Sequence, residues 1–199
     1  GRRGSVLETT AEEIAGKTRG QIFTHSVDIR DAEAVDEMIS AIWHQSGPLT
    51  GLVNNAAGQI MSPTNKLSTR GFDAVAATVF HGTYYTTHSV GRRWIDEGLK
   101  GNVISILVTW IWSGSPYVVP SAMSKAGIHT MTKSLAVEWA QYGIRLNAIA
   151  PGPFPTDGAW ARLHPEAACA PLLRIAIRPT PRQRMLARAA PIRVLTRDP

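Results

Sequence analysis

The chain has 199 residues, enough for one domain with a sizeable core, and its 44% hydrophobic content is that of an ordinary globular protein. One cysteine, Cys169, excludes an intrachain disulfide and points to a reducing, cytoplasmic setting; no apolar run reaches the length of a membrane span, and the basic, polar start does not read as a signal peptide. The net charge of +6 sits mostly in the tail, where residues 165–199 hold seven Arg and no Lys against Glu166 and Asp198, so neither nucleic acid nor a membrane is expected as a partner of the body.

The first 155 residues alternate amphipathic stretches with apolar runs, which predicts an α/β fold with a parallel sheet. SVLETTAEEIAG (5–16) reads as a helix closed by Gly16, and QIFTHSVDI (21–29) as a strand. DAEAVDEMISAIWHQ (31–45) is a helix with Asp31 as its N-cap. TGLVNNAAG (50–58) is a strand running into a polar turn of small residues. A long helix is expected from about Ser68 to Glu97. GNVISILVT (101–109) is a further strand, its apolar run suiting burial on both faces. A helix from about Ser121 to Tyr142 follows, then IRLNAIAPGP (144–153), a strand ending in a Pro/Gly loop.

After Trp160 the character changes. Residues 161–199 lack Gly, Lys, Phe, Tyr and Trp, and prolines recur through them. This predicts two regions: a domain over 1–160 and an Arg/Pro/Ala-rich tail over 161–199, either disordered or foreign sequence. Histidines 25, 44, 81, 88, 129 and 164 have no metal-ligand spacing, so no metal is expected.

Three stretches carry chemistry. VNNAAG (53–58) ends one strand, NAIAPGP (147–153) ends another, and Ser121 and Lys125 lie four residues apart, on one face of a helix that follows a third. In open parallel sheets, ligands bind beyond the carboxyl ends of the strands, where all three would meet. A lysine there can hydrogen-bond ribose hydroxyls, and its charge stabilises an enolate.

This set resembles the short-chain dehydrogenase/reductase family over residues 1 to about 163. It is most similar to the 2,4-dienoyl-CoA reductase branch, through PSAxxKAG (120–127), NNAAG followed by SPT (54–58 and 62–64), VVPSA (118–122), SLAxEW (134–139) and PGPxxTxGAxxRL (151–163). The resemblance implies a Rossmann-like, doubly wound parallel sheet, and NADP(H)-dependent hydride transfer to a conjugated enoyl-CoA thioester in fatty acid metabolism. It makes Lys125 and Ser121 catalytic. Cofactor contacts would come from Lys125, from Arg2 and Arg3 to the ribose 2′-phosphate, and from Asp28 to the adenine amino group. Asn55, Ala56, Ala57 and Gly58 would let ring and ribose approach, and Pro151, Gly152 and Pro153 would line the nicotinamide amide.

The branch places a tyrosine and an asparagine on the thioester carbonyl, where this chain has Trp110 and Gln59; Tyr117 is the nearest other phenol. An indole N–H donates a hydrogen bond but is no proton-transfer acid. The branch's glycine-rich loop has no counterpart here, and its last strand is not recognisable, so the sheet is expected to be incomplete at both ends. The alternative function is a truncated, inactive remnant that does not bind dinucleotide. Homo-oligomers through helices 68–97 and 121–142 are implied by resemblance.

Overall fold

The computed structural model describes residues 1–18 and 20–151. Helix α1 (Gly4–Lys17) buries no side chain, having no neighbour among the described residues that covers it. Residues 21–28 form no strand, contrary to the sequence expectation. A strand is defined by its ladder, and this segment finds only isolated bonds: Val27 N–H donates to the Gly1 carbonyl at 2.7 Å and the Ser26 hydroxyl to the Arg2 carbonyl at 3.1 Å.

Helix α2 (Ala32–Ser46) begins as expected, Asp31 accepting from the Glu33 and Ala34 N–H groups, and stops at Gly47, whose φ of 76° leaves the helical region. Strand β1 (Gly51–Asn54) follows. The Ser68 hydroxyl caps α3 (Thr69–Ala76), which runs through a π turn (Ala77–His81) into α4 (Gly82–Asp96). After β2 (Gly101–Ile106) comes a short helix that the sequence did not suggest, α5 (Trp110–Ser113). Helix α6 (Val119–Glu138) starts two residues earlier than expected because Pro120 is tolerated in a first turn, and β3 (Ile144–Ile149) closes the described chain.

The strands form one parallel sheet in the order β1–β2–β3, with Asn54 opposite Ser105 and Ser105 opposite Ala148. Parallel strands joined by crossover helices give the Rossmann-like architecture. Strand β2 is buried on one face only, correcting the two-sided burial read from its apolar run: Gly101, Val103 and Ser105 are buried, while Asn102 is exposed and Ile104 and Ile106 are half-buried. Among the described residues the buried face packs on α2, α4 and α6.

The main core joins Val35 and Ile39 of α2, Val90 and Trp94 of α4, Val103 of β2, and Trp139, Ile144 and Leu146. Two glycines permit it. A Cβ on Gly91 would lie 2.4 Å from the Trp139 ring, and one on Gly101 would lie 2.5 Å from that of Trp94. A polar clamp joins α2 to α4, where the Asp36 carboxylate accepts from Arg93 at 2.8 Å and from the Ser89 hydroxyl at 2.6 Å. The Arg93 bond, then the Ser89 bond, holds the Asp36 carboxyl well below the usual carboxylate range. No helix among the described residues is long and apolar enough to cross a membrane.

Candidate active site

The carboxyl ends of β1 and β2 are tied together by Asn54, the first asparagine of the NNAAG turn. Its Nδ2 donates to the Thr87 hydroxyl at 2.9 Å and to the Ser105 hydroxyl at 3.4 Å, and the Thr86 hydroxyl stands 2.9 Å from its Oδ1. Asn54, Thr87 and Ser105 are all buried, so this network fixes where the turn begins relative to α4 and β2. Beyond it Asn55, Ala56 and Ala57 are exposed and Gly58 is half-buried against Thr78. An exposed run of small side chains leaves backbone open to a flat ligand.

Helix α6 brings Lys125 and Ser121 to one face, both buried, with Lys125 only 4% exposed. The lysine Nζ donates to the Ile106 carbonyl at the end of β2, which leaves two of its three N–H donors unused among the described residues. Burial disfavours the ammonium and pulls its pKa from 10.5 down to about 8. Ser121 lies inside the first turn of α6 rather than at its cap, which is Val118. Its hydroxyl makes no hydrogen bond to a described residue, whereas that of Ser124 is spent on the Pro120 carbonyl at 2.7 Å.

Gln59 and Trp110 share an unusual property. Gln59 Nε2 and Trp110 Nε1 are shut off from solvent and have no hydrogen-bond partner among the described residues. Each such donor costs about 1–3 kcal/mol of desolvation. Tyr117 is half-buried and adopts the left-handed region with φ 65°, which costs a non-glycine residue about 1–2 kcal/mol. Its carbonyl accepts from Ser62 N–H at 3.1 Å, which ties the segment after β1 to the loop between α5 and α6. Gln59 and Tyr117 therefore stand on walls joined by a backbone bond.

Arg2 and Arg3 are exposed, immediately before α1, beside a recess of about 390 Å³ lined by Gly1, Arg2, Arg3, Val6 and Leu7. The Asp28 carboxylate faces Arg30, whose Nε donates at 2.9 Å, with Arg2 at 4.0 Å. The Arg30 hydrogen bond is the main reason its pKa falls to about 2. The next residue, Ile29, lies against Gly82 of α4, one turn from the Thr86 that meets Asn54. Helix α4 thus holds both the Asp28 segment and the NNAAG turn.

Sequence reading missed Asn54 and Arg30. A lone amide closing an apolar strand was the signal for the first, and a guanidinium two residues beyond an aspartate for the second. Pro151 is half-buried beyond β3; Gly152, Pro153 and the tail 161–199 lie outside the described residues.

The family profile described as short chain dehydrogenase matches residues 1–167. An uncharacterised oxidoreductase of Caenorhabditis elegans is 44% identical over 81% of this chain and 52% of its own length. A Bacillus subtilis protein named "Probable 2,4-dienoyl-CoA reductase [(2E)-enoyl-CoA-producing]" is 39% identical over 82% of this chain and 64% of its own. The chain therefore spans between about half and two thirds of the length of these two curated relatives. Among solved structures, a short chain dehydrogenase from Bacillus anthracis superposes with a TM-score of 0.73 at 43% identity, covering 76% of this chain and 63% of that one. A gluconate 5-dehydrogenase from Burkholderia cenocepacia in complex with NADP and tartrate superposes at 0.78 with 25% identity, covering 87% and 67%.

Proposed function

The chain belongs to the short-chain dehydrogenase family, and from that premise we propose that it reduces a conjugated enoyl-CoA thioester with NADPH. The observation that carries this reading is Lys125, a buried ammonium anchored to the Ile106 carbonyl at the ligand-binding end of a parallel sheet. The relatives named as dienoyl-CoA reductases support the substrate class, and the neighbour in complex with NADP supports the cofactor.

The residues fit a nicotinamide dinucleotide phosphate. Arg2 and Arg3, beside their recess, match a ribose 2′-phosphate by bidentate pairing. Asp28, held ionised by Arg30, offers its carboxylate to an adenine amino group. The run from Asn55 to Gly58 lets ribose and ring approach, Pro151 lines the nicotinamide amide, and the remaining donors of Lys125 hold ribose hydroxyls. When bound, the nicotinamide supplies a hydride.

Lys125 then favours negative charge growing on the substrate oxygen, in a water-poor site where such stabilisation is strongest. Ser121, on the same helix face, positions the ligand with a hydroxyl not committed elsewhere, and Gln59, Trp110 and Tyr117 face the thioester. Exposed Phe80 and Tyr84 on the long helix, with Met123 and Val137 on α6, support a homo-oligomer through these two elements.

The test is NADPH consumption by the purified chain with a 2,4-dienoyl-CoA. The expected result is turnover that Lys125→Met abolishes, and a KM for NADPH, not NADH, that Arg2→Glu raises. An intact chain that binds NADPH yet leaves every enoyl thioester unreduced would sink the reading.

A further inference from the structure

Helix α5 is too short to stand alone. It has four residues, none of them fully buried, and its tightest bond runs from the Gly114 N–H to the Trp110 carbonyl at 2.8 Å. It rests chiefly on α6, through two side chains. Ile111 packs on the apolar cluster that includes Ile128, and the Trp112 indole meets the His129 imidazole with ring centres 5.6 Å apart and planes at 78°. Trp112 is 62% exposed, so the imidazole is the wall that its ring leans on.

His129 stands one turn along α6 from Lys125, on the same face. Segment 107–118, which carries α5 and Tyr117, leaves β2 directly after the Ile106 carbonyl that anchors that lysine. The ring contact therefore holds the segment alongside the buried ammonium. Histidine changes charge between about pH 5 and 8. An imidazolium within about 6 Å of an indole is held more strongly than a neutral ring.

We propose that Trp112 and His129 form a pH-operated latch, which holds α5 against α6 when the imidazole is charged and lets it loosen when the imidazole is neutral. The far end of the segment stays tied through the Tyr117 carbonyl to Ser62, so loosening opens the cleft on the α5 side. Neighbouring charges do not reverse the sign. On α6, Lys125 and Lys133 lie one turn to either side of His129 and oppose its charging, but they do so whether or not Trp112 is docked. Helix α5 has no titratable group, and residues 114–118 bring only the Tyr117 phenol. The other elements packed on α6 bring Arg70, Asp73, His81, Tyr142 and Arg145, all exposed and screened by water. Only the docked indole differs between the two states. The latch is fullest at the acid end of the histidine range and weakens as pH rises through it.

The experiment follows hydrogen exchange of the Gly114 amide by NMR in the full chain labelled with ¹⁵N. Rates are taken at pH 5.5 and 7.5, with Lys125 mostly charged at both, and each is divided by the rate for the unfolded chain at the same pH. Protection about two- to fivefold higher at pH 5.5 is the expected result. His129→Gln and Trp112→Leu should each erase that difference, while the Trp94 indole signal in the core reports that the fold is intact. Equal protection at both pH values in the unaltered chain would overturn the latch. So would a difference that survives in His129→Gln, which would belong to one of the neighbouring charges. A difference lost in His129→Gln but kept in Trp112→Leu would show that the charge acts without the indole, and would break the proposal as well.

Discussion

At the amino ends of the strands, Trp94 is fully buried against Gly101, its Nε1 donates to the Leu49 carbonyl at 2.6 Å, and Trp139 covers Gly91. At the carboxyl ends, a charge is buried in Lys125, the donors of Gln59 and Trp110 go unpaired among the described residues, and Tyr117 holds a left-handed backbone. The same strands run through both regions. One end is close-packed around Trp94 and Trp139, with the Trp43 indole N–H unpartnered among the described residues, while the other buries the Lys125 ammonium and the unpartnered donors of Gln59 and Trp110. The difference teaches where the fold gains its stability and where it gives some up.

The largest effect should come from the close-packed end. Trp94→Ala removes its largest fully buried side chain and its bond to Leu49, and is expected to lower unfolding free energy by about 3–5 kcal/mol in a denaturant titration. A loss below about 1 kcal/mol would mean that the core does not depend on this end.

Lys125→Met should act in the opposite direction. Below pH 8 the lysine is charged in both native and unfolded chains, and only the native one bears the burial penalty. Between pH 8 and 10.5 the native lysine gives up its proton while the unfolded one keeps it, so wild-type stability rises through that window. The variant should therefore be more stable than wild type by about 3 kcal/mol at pH 7, with the gap closing towards pH 10.5. The reductase activity proposed above should be lost at every pH. A variant destabilised at pH 7 would show that the lysine supports the fold rather than straining it.

Asn54→Ala strands the Thr87 and Ser105 hydroxyls where the two regions meet, and should cost about 2 kcal/mol. The smallest effect is expected from Tyr117→Gly, which relieves the left-handed backbone and should stabilise by about 1 kcal/mol in thermal unfolding. A loss instead would mean that the phenol's packing outweighs the strain.

The close-packed end was the more legible in sequence. Asp31 before an amphipathic run fixed the start of α2, and the apolar runs around 51–54, 101–106 and 144–149 marked all three strands. Residues 21–29 have the same kind of pattern but lack a ladder, because pairing depends on what lies alongside and not on the segment itself. At the other end, Lys125 and Ser121 were legible from their spacing on one helix face. The partner of Lys125 was not, since the Ile106 carbonyl is a backbone atom 19 residues away. Nor could composition show that Gln59 and Trp110 bury donors without acceptors among the described residues, because that depends on three-dimensional enclosure.

The bond from Ser62 N–H to the Tyr117 carbonyl has a temporal consequence. It joins positions 55 residues apart in the chain, one on each wall, so the walls part only when it breaks. The Ser62 amide is thus a clock for the cleft: its rate of exchange with deuterated solvent counts openings, and a bound ligand that spans the walls slows the count.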